Sequence, residues 1–134
     1  MVDIYIKQIR SILELAVPAW QGGVSQAEKQ DLERIQKCAC HIILGTEYQS
    51  YREALTTLNL ETLEARRIKL TMKFGLKAEK NKKFQKWFKP TAKKYNTRIE
   101  QLRYCTVKAR HTRFSKSPLS YLTSLLNKFY VMKK

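Results

Sequence analysis

Ser25 is followed three positions later by Glu28, and Ser50 by Glu53, each just ahead of a run of apolar residues at helical spacing or of good helix formers. This is the capping-box pattern. The serine hydroxyl accepts from a free amide of the first helical turn, and the glutamate reaches back to the serine amide. Two helix starts are thereby marked, and a helical architecture is set against a sheet. The apolar residues agree. Behind the first box, Leu32, Ile35, Ala39, Ile42 and Ile43 recur at helical spacing, and Gly45 stands where a helix-ending glycine belongs. The helix behind the second box is short and ends near Leu58-Asn59. Ahead of both, Ile6, Ile9, Leu13 and Ala16, with Ile12 beside them, predict an amphipathic helix over 3–16. Pro18 disfavours helix at Val17 and should end it there, leaving Trp20 in a turn at Gly22-Gly23. Only four Gly and three Pro occur in 134 residues, too few for a turn-rich β fold.

A fourth helix is predicted over about 61–80. Leu63, Leu70, Phe74 and Ala78 share one side, and Ala65, Ile68, Met72 and Leu76 fall nearly opposite. Two apolar faces suggest a helix sandwiched between neighbours. Between them runs a basic stripe of Arg66, Lys69, Lys73, Lys77 and Lys80. Gly75, which disfavours helix, should permit close packing or a slight bend. Phe84, Trp87 and Phe88 share a face of a short helix that Pro90 stops, and their spacing reads as core. Residues 91–116 have weak periodicity and read as a long basic loop or arm, extended around Arg103–Lys108. Ser117-Pro118 is a cap followed by a first-turn proline, and Leu119, Leu122, Leu125, Leu126 and Phe129 form the stripe of a last helix. The expected fold is all-α, a small bundle of about five to six helices. Residues 1–90 would be the bundle, 91–116 the arm, and 117–134 a C-terminal helix docking on the bundle.

The charge is unevenly placed. Residues 1–64 carry six Lys/Arg against nine Asp/Glu, a net of −3, whereas residues 65–134 carry twenty-one against two, a net of +19. A folded surface accumulates that much like charge only at a cost in self-repulsion, which a polyanion relieves. No run of about 18 apolar residues could span a bilayer, and the basic helix does not set its charge against one coherent apolar face, so a membrane surface is not the expected polyanion. Nucleic acid is. The candidate backbone contacts are Arg66, Lys69, Lys73, Lys77, Lys80, Lys82, Lys83, Arg98, Arg103, Arg110 and Arg113. Tyr95, Tyr104 and Phe114, interleaved with the last four arginines, are candidates for stacking on bases. Cys38, Cys40 and Cys105 are odd in number and not spaced as zinc ligands, even with His41 and His111. No metal, cofactor or Cys/His nucleophile is expected. The cysteines read as reduced thiols of an intracellular protein, nuclear or cytoplasmic, and Met1-Val2-Asp3-Ile4 does not open a secretion signal.

The blocks also form an ordered series. Ile9-Arg10-Ser11-Ile12-Leu13-Glu14-Leu15-Ala16-Val17-Pro18-Ala19-Trp20 is followed by Leu32-Glu33-Arg34-Ile35-Gln36-Lys37 and Ile42-Ile43-Leu44-Gly45. Then come Tyr51-Arg52-Glu53-Ala54-Leu55, Leu60-Glu61-Thr62-Leu63-Glu64-Ala65-Arg66-Arg67, and Ser117-Pro118 through Leu126-Asn127. Over residues 4–127 this series resembles the C-terminal part of reverse transcriptases of non-LTR (LINE-type, jockey-like) retrotransposons, the thumb and the tail beyond it. Leu15 stands where that family often has Tyr, and Cys38 and His41 where it has a basic residue. The resemblance implies a fragment of an RNA-directed DNA polymerase that grips the template–primer duplex beside a palm. Its first half would supply the face that docks on that palm. The palm's paired metal-binding aspartates are missing here, because the only Asp residues are Asp3 and Asp31. No polymerase activity is therefore expected of the chain by itself. The alternative is a degenerate or repurposed free-standing RNA/DNA-binding protein with no polymerase role.

Overall fold

The computed structural model describes residues 1–91, 103–106 and 110–132. The protein is all-α, and among the described residues no strand occurs beyond one isolated bridge. It divides into two compact units, Met1–Val17 with Val24–Lys69, and Pro18–Gly23 with Leu70–Lys134.

In the first unit, helix α1 covers residues 2–13. Its α-helical ends, Val2–Ile4 and Ser11–Leu13, flank a π-helical stretch, Tyr5–Arg10. A π turn bonds i to i+5, so the faces drift away from the regular 100° spacing. Tyr5 is therefore the buried residue, while Ile9, Ile12 and Ala16 of the expected stripe are exposed. The helix stops at Leu13, earlier than expected, and Ala16 turns the chain with φ +51°. The chain then passes into the second unit, where Pro18 sits in the first turn of a short helix, α2 (Val17–Trp20), and its missing N–H costs nothing. It opens a helix where the sequence suggested a stop, and Trp20 ends that helix before the turn.

Helix α3 (Gln26–Leu44) begins with the complete capping box: the Glu28 amide donates to Ser25 Oγ (3.3 Å) and the Ser25 amide donates to Glu28 Oε2 (2.7 Å). Gly45 closes it at φ +54°, a conformation that favours glycine. Its buried seam is Gln36 and Cys40, with Leu32, Ala39 and Ile43 half-buried, whereas Ile35 and Ile42 face outward. Helix α4 (Tyr51–Thr57) starts at Ser50, whose Oγ accepts from the Glu53 amide at 3.3 Å. It ends before Asn59, at φ +51°, a residue type that tolerates the left-handed region. Tyr5, Cys40, Ala54 and Leu60 form the apolar core of the first unit.

That core has a polar centre. Fully buried Gln36 accepts from the Tyr5 hydroxyl (2.8 Å) and donates to Tyr51 Oη (3.0 Å) and the Glu61 carbonyl (2.9 Å). Tyr51 in turn donates to Glu33 Oε1 (2.5 Å), which also accepts from the Leu63 amide (3.3 Å). The network satisfies a buried amide and caps the next helix, so burying these polar groups carries little net cost.

Helix α5 (Leu63–Lys80) contributes residues 63–69 to the first unit and 70–80 to the second. Its buried positions are Leu63, Arg67, Thr71, Gly75 and Ala78. Leu63 and Ala78 of one expected apolar face belong to this seam; of the other expected apolar residues Leu70, Ile68, Met72 and Leu76 are half-buried and Phe74 is partly exposed.

In the second unit, α5 packs on the last helix. A Cβ on Gly75 would lie 2.8 Å from Leu122 Cδ1, so glycine here serves close approach. After α5, a 3-10 turn (Gln85–Trp87) replaces the expected short helix, with Phe88 buried, Phe84 half-buried and Trp87 exposed. Two further helices are α6 (Thr112–Ser115) and α7 (Pro118–Met132). Leu122 and Leu126 of α7 join Ala78, Phe88 and Tyr104 in the core. Leu125 and Phe129 are half-buried and Leu119 is exposed, because Thr123 and Asn127 take the inner positions.

Part of the expected arm is anchored. Tyr104 bridges to Pro90, the Cys105 amide donates to the Lys89 carbonyl (2.9 Å), and the Thr91 amide donates to the Arg103 carbonyl (3.1 Å). Asn127 holds the same backbone from the other side: Oδ1 accepts from the Tyr104 amide (2.9 Å) and Nδ2 donates to the Tyr104 carbonyl (3.0 Å). Tyr104 packs its ring on Phe88, centroids 5.4 Å apart. It is a core residue, and the base-stacking role suggested by its sequence neighbours does not fit its burial.

Candidate nucleic-acid interface

The division into units sharpens the charge asymmetry. The first unit holds nine Lys/Arg and nine Asp/Glu, a net of zero; the second holds eighteen and two, so it carries the entire +16.

Arg67 lies in the buried seam of α5, whereas the other basic side chains of the helix lie away from it and are not equivalent. Arg66 is half-buried and donates from Nε to Glu14 Oε1 (2.5 Å), with Glu61 at 3.7 Å. The Glu14 hydrogen bond is the main reason its guanidinium is held even more firmly protonated than usual. Lys69 is paired with Glu61, whose carboxyl titrates below its ordinary range chiefly because of that bond. Both cations are thus partly neutralised within the first unit.

Lys73, Lys77 and Lys80 differ. All three are exposed, and among the described residues no carboxylate lies within ion-pair distance of them. Their i, i+4, i+7 spacing stacks them on one helix face, with axial steps of about 6 and 4.5 Å. Like charges at i, i+4 repel by roughly 0.2–0.5 kcal/mol per pair in an isolated helix. The negative end of the helix dipole offsets part of this near Lys77 and Lys80. Lys82 and Lys83 continue the exposed basic surface past the helix end, where the Lys83 amide donates to Asn81 Oδ1 at 3.0 Å.

The arginines divide. Arg103 is tied down: it pairs with Glu79 (3.2 Å) and lies over the Tyr130 ring, 4.1 Å from its centroid. Arg110 and Arg113 are exposed, the latter on α6 beside exposed Phe114, the remaining described stacking candidate. Arg98 and Tyr95 lie outside the described residues.

Glu79 organises the inner side of this surface. Its carboxylate accepts from the hydroxyls of Tyr104 and of Tyr130 (2.6 Å) and faces Arg103. Burial pushes its pKa up, but the two hydroxyls, the guanidinium and the more distant Lys80 charge outweigh burial and leave it below the ordinary carboxylate range. Burial first, and then the bond to Glu79, pushes Tyr104 up to about 12, so it remains a donor. Sequence reasoning passed over Glu79 and gave Asn127 no structural role. One signal for Glu79 was present: it is one of only two acidic residues after residue 64.

The surface is suited to electrostatic attraction of phosphates. Exposed lysines are mobile point charges, unlike the fixed forks that read base edges. Among the described residues no group of three or more His, Cys, Asp or Glu side chains gathers as a metal site would require. Burial raises the Cys40 thiol, which makes it a poor nucleophile. No described helix is long and apolar enough to cross a membrane. Comparison with protein-family models, curated proteins and solved structures finds no match to this chain.

Proposed function

We propose that the second unit is a non-catalytic grip for the sugar-phosphate backbone of a nucleic-acid duplex. The observation that carries this reading is the run of exposed Lys73, Lys77 and Lys80, without carboxylate partners among the described residues, on a unit of net charge +16. Phosphates would relieve the repulsion among these ammonium groups and release condensed counterions. Lysines supply affinity and register; they carry no sequence code. The retrotransposon resemblance makes the duplex a template–primer hybrid, RNA/DNA or DNA, and makes a polymerase palm the partner that would supply metal-binding carboxylates. The chain itself would act as the thumb-side fragment and not as an enzyme.

Titration of a labelled duplex across salt concentrations tests the reading. With roughly five to eight phosphates engaged, log K falls against log[salt] with a slope of about −4 to −7. A flat response, or strong preference for one sequence, contradicts it. The same protein should extend no primer on any template with Mg²⁺ or Mn²⁺, and template-dependent incorporation would contradict the non-catalytic assignment.

A further inference from the structure

We infer that the outer face of α1 and α3 in the first unit is a surface for self-association, and that its occupant is a second copy of this chain. A groove there is lined by Ile9 of α1 and by Asp31, Arg34, Ile35, Cys38, Ala39 and Ile42 of α3. Its aliphatic side chains are turned to solvent: Ile9 and Ile35 are each 43% exposed and Ile42 is 69% exposed. Isolated exposed isoleucines are ordinary, but three on one groove form a patch with a hydrophobic reason to be covered.

Two features favour a second copy as the cover. The first is charge. The groove contains one acid and one base, Asp31 and Arg34, already paired at 3.3 Å, and the unit around it has zero net charge. Two such faces meet without net repulsion, whereas the +16 unit cannot lend itself to contact between copies. The second is pattern. Along α3 the groove reads large, small, small, large: Ile35, Cys38, Ala39, Ile42. An antiparallel pair of α3 helices related by a two-fold near Cys38 and Ala39 sets Ile35 of each copy against Ile42 of the other. The small residues at the axis let the backbones approach. This is the isologous, self-complementary contact that two-fold dimers require. A patch built from one face of two helices is small, so a dissociation constant of about 10–100 µM is expected.

The test is sedimentation of the nuclease-treated full chain, combined with cross-linking by a short bismaleimide. The parent should dimerise. Its association should hold or strengthen as salt rises, because salt screens repulsion between the two +16 units while leaving an apolar contact intact. That is opposite to the salt response expected for duplex binding, so either conclusion can fail without the other. Ile42→Glu, at an exposed helical position, should keep the parent's helical signal and melting temperature and raise the dissociation constant at least about tenfold. Cys38→Ser should abolish the cross-linked dimer, and Cys105→Ser should not. The proposal is overturned by a chain that stays monomeric to several hundred micromolar, which would leave the groove to a different protein such as a polymerase palm. Dimers that survive Ile42→Glu, or cross-links that form through Cys105 alone, overturn it equally.

Discussion

Ala16 holds a left-handed backbone conformation, φ +51°, which brings its Cβ against the following carbonyl and costs about 1–2 kcal/mol. Glycine has no Cβ and so avoids that cost, but it loses more chain entropy on folding. Ala16→Gly should therefore stabilise the protein by a net of roughly 0.5–1 kcal/mol, measured by urea denaturation. Gln36 is the opposite case. It is fully buried, and its amide serves Tyr5, Tyr51 and the Glu61 carbonyl. Gln36→Leu keeps the bulk and leaves these partners unsatisfied, so a loss of about 2–4 kcal/mol is expected from the same measurement. Neither residue stands out in the sequence. Alanine gives no sign of a positive φ, and a glutamine inside a helical pattern reads as surface until its partners, 15 to 31 residues away, are brought to it.

Elements were more legible than the faces they bury. Ser25, Ser50, Gly45 and Ser117-Pro118 marked helix boundaries correctly because capping is local chemistry between residues three or four apart. Faces depend on distant partners. The π-helical Tyr5–Arg10 broke the regular period of α1, and polar Gln36, Thr71, Thr123 and Asn127 took inner positions that an apolar count assigns to isoleucines and leucines. Leu126, fully buried on α7, is where truncation should be costly: Leu126→Ala should destabilise by about 2–5 kcal/mol. The α5–α7 pair also carries a pH dependence. Glu79 titrates below its ordinary value of 4.5 because its ionised form is hydrogen-bonded and faces Arg103. In the unfolded chain it takes up a proton first as pH falls. Its stabilising contribution is therefore complete above that ordinary value and is lost as pH drops through the lower folded one. Melting temperatures of the parent should fall more steeply than those of Glu79→Gln across this acid window, and parallel curves would contradict the assigned role of the carboxylate.

At the scale of the molecule, the charge asymmetry was legible from counting alone, but its distribution among side chains was not. The expected stripe treated five cations of α5 as one set. Arg66 and Lys69 are engaged by Glu14 and Glu61, and Arg103 by Glu79, whereas Lys73, Lys77 and Lys80 have no carboxylate within ion-pair distance among the described residues. Spacing along one helix could not reveal carboxylates that arrive from residues 14 and 61. The lysines without such partners are the ones a phosphate backbone can recruit at least cost. Phosphate engagement by these ammonium groups is tested by changing Lys73, Lys77 and Lys80 together to Gln and measuring duplex affinity against salt. Folding should be unaffected or slightly strengthened, since removing like charges at i, i+4 relieves about 0.2–0.5 kcal/mol per pair. Affinity should fall, and the salt slope should shrink by about three, one for each phosphate no longer engaged by an ammonium group. Lys69→Gln should change the slope by less than about one, because that ammonium is already paired. A triple variant that binds as tightly as the parent, with the same slope, would rule out phosphate engagement by these three lysines.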